Sequence, residues 1–331
     1  MDLIALTRAL IDVESVTGNE RAVGDFLFEY LSRLGPVERM PVEGERFNLF
    51  ASWGEPVVVL STHIDTVPPF FSSSEDGDFV YGRGACDTKG ILAAMIKAIE
   101  ELLSQGAGGF GLLLVVGEET DSLGAQVANR QPRGSRYLVN GEPTENRLAL
   151  GSKGALYLRI EAAGRMAHSA YPELGESAID RLLEALARLR GVPLPSDPVL
   201  GETTLNIGTV SGGRASNVIA DQARAEVLIR TVGDTAELRR SIREALAGVL
   251  IAEERETRAM RLGSLPGFAS TLVKYTTDIP RLGAWGEPFL LGPGSIHLAH
   301  TLAERVPKRE LEEAVRLYAE MVRRLQWRDG T

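Results

Sequence analysis

Apolar residues recur along the chain with two different spacings, and the two spacings alternate. In residues 2–13 the side chains Leu3, Leu6, Leu10 and Val13 are three or four positions apart, which predicts one face of a helix. Short runs of consecutive apolar residues predict buried strands instead. The predicted helices lie at about 2–13, 19–34, 89–103 and 308–325, and the predicted strands at 57–60, 110–116 and 137–139. Strands that alternate with helices predict an α/β fold with a mixed, largely parallel sheet.

The pattern changes near residue 155. The predicted order becomes strand, helix, two strands, helix and a last strand, at about 156–162, 176–189, 203–210, 223–231, 235–250 and 257–262. This order suits a small open sheet with two helices on one face. We interpret the charges at 253–256 as a solvated helix or turn. The chain is therefore predicted to form one domain from 1–154 and 267–331, interrupted by an inserted α+β domain at 155–266.

The composition narrows the class of protein. A chain of 331 residues with 44% hydrophobic residues can bury the cores of two domains without disulfides. Its net charge of −9 argues against a nucleic-acid partner, which needs basic patches. The single cysteine, Cys86, excludes an internal disulfide framework and suits a reducing compartment. Since no apolar run approaches the ~18 residues of a membrane span and no leader pattern is seen, we expect a cytoplasmic protein without a membrane partner.

Polar residues that could bind a metal or move a proton follow three of the predicted strands. The carboxyl ends of parallel strands meet at one edge of a sheet, so these side chains are expected to lie close together. A further loop, at 81–90, contains an aspartate and leads into a predicted helix. The residues concerned are His63 and Asp65, Asp87, Glu118 and Glu119, and Glu142.

A histidine among carboxylates is a ligand set typical of zinc or a similar divalent ion. His63 and Asp65 are two positions apart and face the same side of an extended chain, so Asp65 can orient the imidazole. Neighbouring Glu118 and Glu119 point in different directions, so one can bind metal while the other acts as a base. A bridging carboxylate would hold two ions about 3.5–4 Å apart.

These residues lie in motifs that resemble those of one enzyme family. The motifs are HIDTVP at 63–68, GRGACDTKG at 82–90, GEE at 117–119, GEPT at 141–144, AHSAYP at 167–172, GGRASNVI at 212–219 and GPGSI at 292–296. They resemble the di-zinc metallopeptidase and deacylase family that contains acetylornithine deacetylase, succinyl-diaminopimelate desuccinylase, aminoacylase and glutamate carboxypeptidase. The resemblance implies that the inserted domain serves as a lid and as the interface of a homodimer.

The resemblance also implies the roles of individual residues. It implies two zinc ions per chain, with Co²⁺ or Mn²⁺ as alternatives, a general base, a lid donor to the oxyanion, and lid residues that hold the substrate. A cis peptide bond is implied after the bridging aspartate, between Asp87 and Thr88. The implied assignments are His63, Asp87 and Glu142 to one ion, Asp87, Glu119 and His300 to the other, Glu118 as base, Asp65 as support for His63, His168 as lid donor, and Asn217 and Arg230 as substrate-binding residues.

Two choices stay open at this stage. His300 is favoured over His297 as the last ligand because the family ligand is followed by an acidic residue, and Glu304 suits that spacing. For function, the resemblance favours hydrolysis of N-acyl amino acids by water activated at the di-zinc centre. A dipeptidase or carboxypeptidase with the same site is the alternative, and a non-catalytic metal-binding protein is the third hypothesis.

Overall fold

The structure is a computed structural model, and it describes residues 1–328. Its helices are α1 (Leu3–Ile11), α2 (Arg21–Leu31), α3 (Lys89–Ser104), α4 (Leu123–Asn129), α5 (Ala178–Arg190), α6 (Ala236–Ala245) and α7 (Lys308–Arg328). Single turns of 3₁₀ helix lie at Pro172–Leu174, Ile279–Arg281 and Gly283–Trp285.

The strands are numbered in chain order. They are β1 (Val37–Glu43), β2 (Arg46–Trp53), β3 (Val58–His63), β4 (Ser74–Glu75), β5 (Phe79–Tyr81), β6 (Phe110–Val115), β7 (Tyr137–Asn140), β8 (Leu148–Ser152), β9 (Gly154–Ala163), β10 (Ser196–Asp197), β11 (Gly201–Glu202), β12 (Thr204–Gly212), β13 (Gln222–Thr231), β14 (Leu250–Thr257), β15 (Met260–Arg261), β16 (Ser270–Val273), β17 (Glu287–Leu290) and β18 (Arg305–Pro307).

The chain forms two compact units, and the second interrupts the first in sequence. The first unit contains Met1–Leu150, Leu262–Thr271 and Thr277–Thr331, although the terminal residues 329–331 lie outside the described part of the chain. The second unit contains Gly151–Arg261 and Leu272–Thr276.

A six-stranded sheet forms the centre of the first unit. Its strand order is β1-β2-β6-β3-β7-β17. The four strands β6, β3, β7 and β17 are parallel to one another, whereas β2 is antiparallel to both of its neighbours, β1 and β6. This arrangement confirms the predicted α/β class with a mixed, largely parallel sheet. The hairpin of β1 and β2 was not among the predicted strands.

Both faces of this sheet are covered, and the side chains of each strand alternate between them. In β3, Val58 and Leu60 belong to the larger apolar cluster with α1, α2, α3 and α7. The intervening Val59 belongs to a second cluster on the other face, with α4 and Trp285. A strand that is buried on both faces has no polar side, which is why these segments appear as uninterrupted apolar runs in the sequence.

The second unit contains an antiparallel sheet of order β12-β13-β9-β14. Alternate residues of β9, such as Leu158 and Ile160, are buried against α5 and α6 in one apolar cluster. The residues between them are only partly buried, so the strand alternates with period two. The structure therefore has the predicted pair of helices on one sheet face.

The last strand of this sheet differs from the prediction. The helix predicted at 235–250 is α6, which ends earlier, at Ala245. The last strand of this sheet is β14 (Leu250–Thr257) rather than the predicted 257–262, within which Met260–Arg261 form β15 and pair with β8 instead. The charges at 253–256 lie in this edge strand rather than in a helix or turn. Glu254 and Glu256 pair with Arg239 of α6, and Glu253 lies 3.2 Å from Arg159 of β9. Because ion pairs occupy both sides of β14, it shows no apolar alternation in the sequence.

Among residues 1–328, the helices are all too short or too polar to cross a lipid bilayer.

The fold predicts the stability cost of one core substitution. Trp285 is fully buried, packs 5.5 Å from Phe50 between ring centres, and donates its indole N–H to Ala128 O at 3.1 Å. Trp285→Ala should lower the free energy of unfolding by about 3–5 kcal/mol, measured by urea denaturation with far-UV circular dichroism. The matched control is Trp327→Ala, since Trp327 is 81% exposed and its loss should change stability by no more than about 0.5 kcal/mol. Equal effects of the two variants would contradict the packing described.

Candidate metal centre

The order of the parallel strands brings the candidate ligands to one edge of the sheet. Strand β3 lies between β6 and β7 and is parallel to both, so their carboxyl ends are neighbours. His63 is the last residue of β3, Glu118 and Glu119 follow β6, and Glu142 follows β7. Asp87 reaches the same edge from the loop that precedes α3.

Asp87 lies between two histidines. Its Oδ1 is 3.1 Å from Nε2 of His63, and its Oδ2 is 3.3 Å from Nε2 of His300. His300 Nε2 is also 3.0 Å from Oε2 of Glu119, and His63 Nε2 is 4.0 Å from Oε2 of Glu142. The aspartate therefore presents one oxygen to each histidine. This is the geometry of a carboxylate that bridges two neighbouring sites.

The structure places the two neighbouring histidines, His297 and His300, differently relative to the candidate ligands. The structure brings His300 against Asp87 and Glu119, whereas His297 is exposed three residues earlier. His300 adopts a positive φ of 62°, a conformation that is uncommon for residues other than glycine.

Asp65 organises the loop that carries the two neighbouring glutamates. Its carboxylate accepts backbone N–H groups from Gly117, Glu118 and Glu119 at 3.0–3.2 Å, and Oδ1 lies 3.5 Å from Nδ1 of His63. Gly117 has a φ of 82°, a conformation that glycine adopts without strain, and this turn directs the three N–H groups to one point. Asp65 thus connects the end of β3 to the segment after β6.

The remaining candidate residues lie in the second unit. His168 and Asn217 are on adjoining segments, since the N–H of Ser169 donates to Asn217 O at 3.0 Å. Nδ1 of His168 accepts the N–H of Ala170 at 3.1 Å, which leaves the proton of a neutral ring on Nε2. Arg230 is half-buried in β13, and within residues 1–328 it makes no ion pair; burial lowers its pKa.

The comparisons agree on a family. The sequence model of Peptidase family M20/M25/M40 matches residues 59–324. A Peptidase M20 domain-containing protein of Schizosaccharomyces pombe is 39% identical over 340 residues, which cover 97% of this chain and 84% of the relative. The chain belongs to the M20 peptidase family. It is accordingly a hydrolase of the metallopeptidase class.

Other relatives of this M20 protein show how far the likeness extends. A protein of Aspergillus fumigatus named probable carboxypeptidase is 38% identical over 377 residues, covering 97% of this chain and 86% of its own. A tripeptidase structure from Staphylococcus aureus has a TM-score of 0.81 at 22% identity and covers 97% of this chain and 98% of its own. The structure of aminopeptidase PepT from Bacillus cereus has a TM-score of 0.79 at 20% identity, over 98% of both chains. These two structures share the fold.

The acidic residues of the M20 site repel one another in a buried setting. Burial raises the pKa of Glu118 and of Glu142 well above the usual range, and the charge of Asp87 raises both further. The charge of Glu119 also raises the pKa of Glu118, and the charge of Glu118 raises that of Glu142. Burial also raises the pKa of Glu119, although its hydrogen bond to His300 opposes this. The pKa of Asp87 is lowered instead, because its hydrogen bonds to His300 and His63 outweigh the effect of burial. The pKa of Asp65 is lowered as well, since its contacts with His63 and Thr17 outweigh burial.

The residues present fit a divalent cation. One ligand atom each from His63, Asp87 and Glu119 lies within 4.8 Å of the others, and Oε1 of Glu142 is buried without a hydrogen-bond partner in the described part of the chain. Imidazole nitrogens with carboxylate oxygens are donors that zinc accepts. A cation would offset the repulsion between the carboxylates and supply the partner that Glu142 lacks. The peptide bond between Asp87 and Thr88 is cis, as the resemblance implies.

Sequence reasoning missed one carboxylate close to this cluster. Asp278 is buried, and burial raises its pKa from 3.8 to about 7. Its negative charge also raises the pKa of Glu118 and of Glu142, which places it within electrostatic reach of both. Asp278 precedes a single 3₁₀ turn and follows no apolar strand, so the strand-end pattern that identified the other acids could not identify this one.

The raised pKa values predict how the metal-free protein responds to pH. Between about pH 4 and 7 the folded state holds a proton on Asp278 that the unfolded state has released, so stability falls as the pH rises. Glu118, Glu119 and Glu142 act in the same direction. The melting temperature of chelator-treated protein should therefore decline from about pH 5 to 8, and Asp278→Asn should make the decline shallower.

Two comparisons test the origin of this slope. Saturating Zn²⁺ should reduce the slope, because a bound cation removes the benefit of protonating the carboxylates. The control is Asp221→Asn in the second unit, whose pKa lies below the usual range because it pairs with Arg214, so it titrates below this window. A melting temperature of the metal-free protein that rises over the same window would contradict the description of the site.

Proposed function

We propose that this chain hydrolyses the amide bond of N-acyl amino acids at a centre that holds two divalent metal ions. The single observation that supports the proposal most is the placement of Asp87, with one oxygen toward His63 and the other toward His300. Glu118 is adjacent to Glu119 in the sequence and is not assigned to a metal ion, so it can act as the general base. Within the family, this proposal follows the resemblance to acetylornithine deacetylase and succinyl-diaminopimelate desuccinylase.

We assign the ligands of the two ions from the contacts of the first unit. His63, Asp87 and Glu142 hold one ion, and Asp87, Glu119 and His300 hold the other. Zinc is the expected metal, with Co²⁺ or Mn²⁺ as alternatives, since all accept imidazole nitrogens and carboxylate oxygens. When bound, such ions lower the pKa of water to about 7 and polarise a carbonyl oxygen.

Glu118 is the proposed general base. Burial and neighbouring charges raise the pKa of its carboxyl group above the usual range, which favours a carboxylate that takes up a proton. The backbone N–H of Glu118 donates to Oδ1 of Asp65 at 3.1 Å, and this hydrogen bond fixes the segment that carries Glu118. In the proposed reaction Glu118 removes a proton from water and passes it to the nitrogen of the leaving amino acid.

His168 is the proposed donor to the oxygen of the scissile carbonyl. Its Nδ1 accepts the N–H of Ala170, so the neutral ring offers an N–H at Nε2, the group this role requires. The second unit then acts as a lid, and we propose that it also forms a homodimer. The exposed edge strand β12 supports this proposal, because an uncovered strand edge can pair with a second copy.

Arg230 and Asn217 are proposed to bind the free carboxylate of the substrate. An arginine that is half-buried and lacks an ion pair within the described residues is suited to an anionic ligand. A free carboxylate occurs in N-acyl amino acids and also at the end of a peptide. The second candidate function is therefore a carboxypeptidase or dipeptidase, and a relative named probable carboxypeptidase, 38% identical over 97% of this chain, favours it.

The first prediction from this proposal separates the base from its neighbour. Glu118→Gln should keep both metal ions but reduce turnover by about 10²–10⁴-fold, because general-base catalysis contributes about that factor. Glu119→Gln should instead lower the metal content, since it replaces a ligand. Metal analysis and steady-state kinetics of the two purified variants check this. Near-normal turnover of Glu118→Gln, or equal metal content in the two variants, would exclude the assignment.

The second prediction concerns recognition of the free carboxylate. The enzyme should cleave N-acetyl amino acids and be nearly inactive on the same compounds with an amidated carboxylate. Arg230→Met should lower kcat/KM for the free acids by roughly 10- to 150-fold, because a hydrogen bond to a charged group contributes about 1.5–3 kcal/mol. It should leave the residual activity on the amides unchanged.

The control for this experiment lies on the same strand. Arg224 is exposed in β13 and donates to the Ser211 hydroxyl at 3.1 Å, so Arg224→Met should have no effect. A panel that includes dipeptides and longer peptides with free carboxyl ends distinguishes the two candidate functions. Preference for the peptides would favour the carboxypeptidase or dipeptidase, and equal cleavage of acids and amides would refute carboxylate recognition.

A further inference from the structure

A buried ion pair contacts the two loops that carry the proposed metal ligands Asp87 and His300. Nη1 of Arg83 is 2.6 Å from Oε2 of Glu304, and the two side chains are 2% and 1% exposed. The ion pair joins Arg83 to Glu304 and includes no candidate metal ligand. Because removing two charges from water costs about as much as their attraction returns, a buried pair of this kind is weak support for a purely stabilising role.

The second carboxylate oxygen of Glu304, Oε1, binds the loop that carries Asp87. Oε1 of Glu304 accepts the backbone N–H of Asp87 at 3.2 Å and that of Cys86 at 3.3 Å. The main chain of Glu304 joins the same loop, since its carbonyl oxygen accepts the N–H of Gly82 at 3.2 Å. Glu304 therefore binds the loop that carries Asp87 through both its carboxylate and its carbonyl oxygen.

The same ion pair holds the segment that carries His300. Nη1 of Arg83 also donates to the carbonyl oxygen of Thr301 at 3.4 Å, and Thr301 is the next residue after His300. The His300 side chain is 51% exposed, so packing alone does not fix it. Glu304 itself follows His300 by four residues. Arg83 and Glu304 thus connect the loop of Asp87 to the loop of His300. The side chains of these two loops are in contact, since Asp87 Oδ2 lies 3.3 Å from His300 Nε2.

We infer that Arg83 and Glu304 are positioning residues that set the affinity of one metal site more than the other. The inference rests on the proposed function, because it uses the ligand assignment made there. The ion assigned to Asp87, Glu119 and His300 depends on both loops that the pair connects. The ion assigned to His63, Asp87 and Glu142 depends on only one of them. Loss of the pair should therefore weaken the first of these ions selectively.

The test is the affinity of the full-length protein for Zn²⁺ alone, measured by equilibrium dialysis with a competing chelator. E304D keeps the negative charge, but its side chain is one methylene shorter. Its carboxylate therefore lies farther from the N–H groups of Cys86 and Asp87. The wild type should bind two ions. E304D should bind one ion with unchanged affinity and the other about 10–100-fold more weakly, the usual effect of removing a group that orients metal ligands.

Two further variants keep the result interpretable. R83K keeps a positive charge but loses the planar guanidinium, whose Nη1 contacts Glu304 and Thr301 while its Nε–H donates to Pro69 O, so it should also weaken one ion selectively. W285F removes a buried hydrogen bond on the other face of the sheet and should leave both affinities unchanged, although it lowers stability. Far-UV circular dichroism of each metal-free variant confirms folding, and turnover at saturating Zn²⁺ should return toward the wild-type value.

The outcomes separate this inference from the proposed function. If E304D and R83K both bind two ions with wild-type affinity, or lose both ions equally, the positioning role is refuted while the di-metal site stands. If the wild type binds fewer than two ions, the proposed function fails, and the inference fails with it. Selective weakening in E304D and R83K but not in W285F supports the positioning role.

Discussion

The site depends on keeping several carboxylates together where water cannot separate their charges. Asp87, Glu118, Glu119 and Glu142 converge at one edge of the central sheet, and Asp278 lies within electrostatic reach. Each acid raises the free energy of its ionised neighbours, as the raised pKa values of Glu118 and Glu142 show. Such an arrangement is stable only if positive charges or N–H donors surround it.

Two kinds of contact organise this group of acids. Asp65 and Glu304 do not enter the cluster; each binds backbone N–H groups of a loop and so fixes where the loop's acid points. His63 and His300 contact the acids directly, and these contacts lower the pKa of Asp87 despite its burial. The acid with the strongest histidine contacts is thus the one best suited to stay ionised between two cations.

The chemistry and the proposed recognition use different parts of the chain. All proposed metal ligands and the proposed base belong to the first unit, whereas His168, Asn217 and Arg230 belong to the second. The apolar cores of the two units are separate. Family membership applies to the whole chain, but it leaves the substrate open, because relatives of one fold carry the names carboxypeptidase and tripeptidase.

The sequence by itself determined the α/β class, a small sheet with two helices on one face after residue 155, and the loops that carry the candidate ligands. Apolar periodicity and strand-end acids are local signals, so they survive without coordinates. It did not reveal the charged strand β14, whose acidic side chains pair with arginines of α6 and β9 instead of forming an apolar face, nor the buried Asp278. The contact of His300 with Asp87, and the ion pair of Arg83 with Glu304, join residues more than 200 positions apart. Only the tertiary structure decides such pairs, because burial and distance are properties of the folded chain.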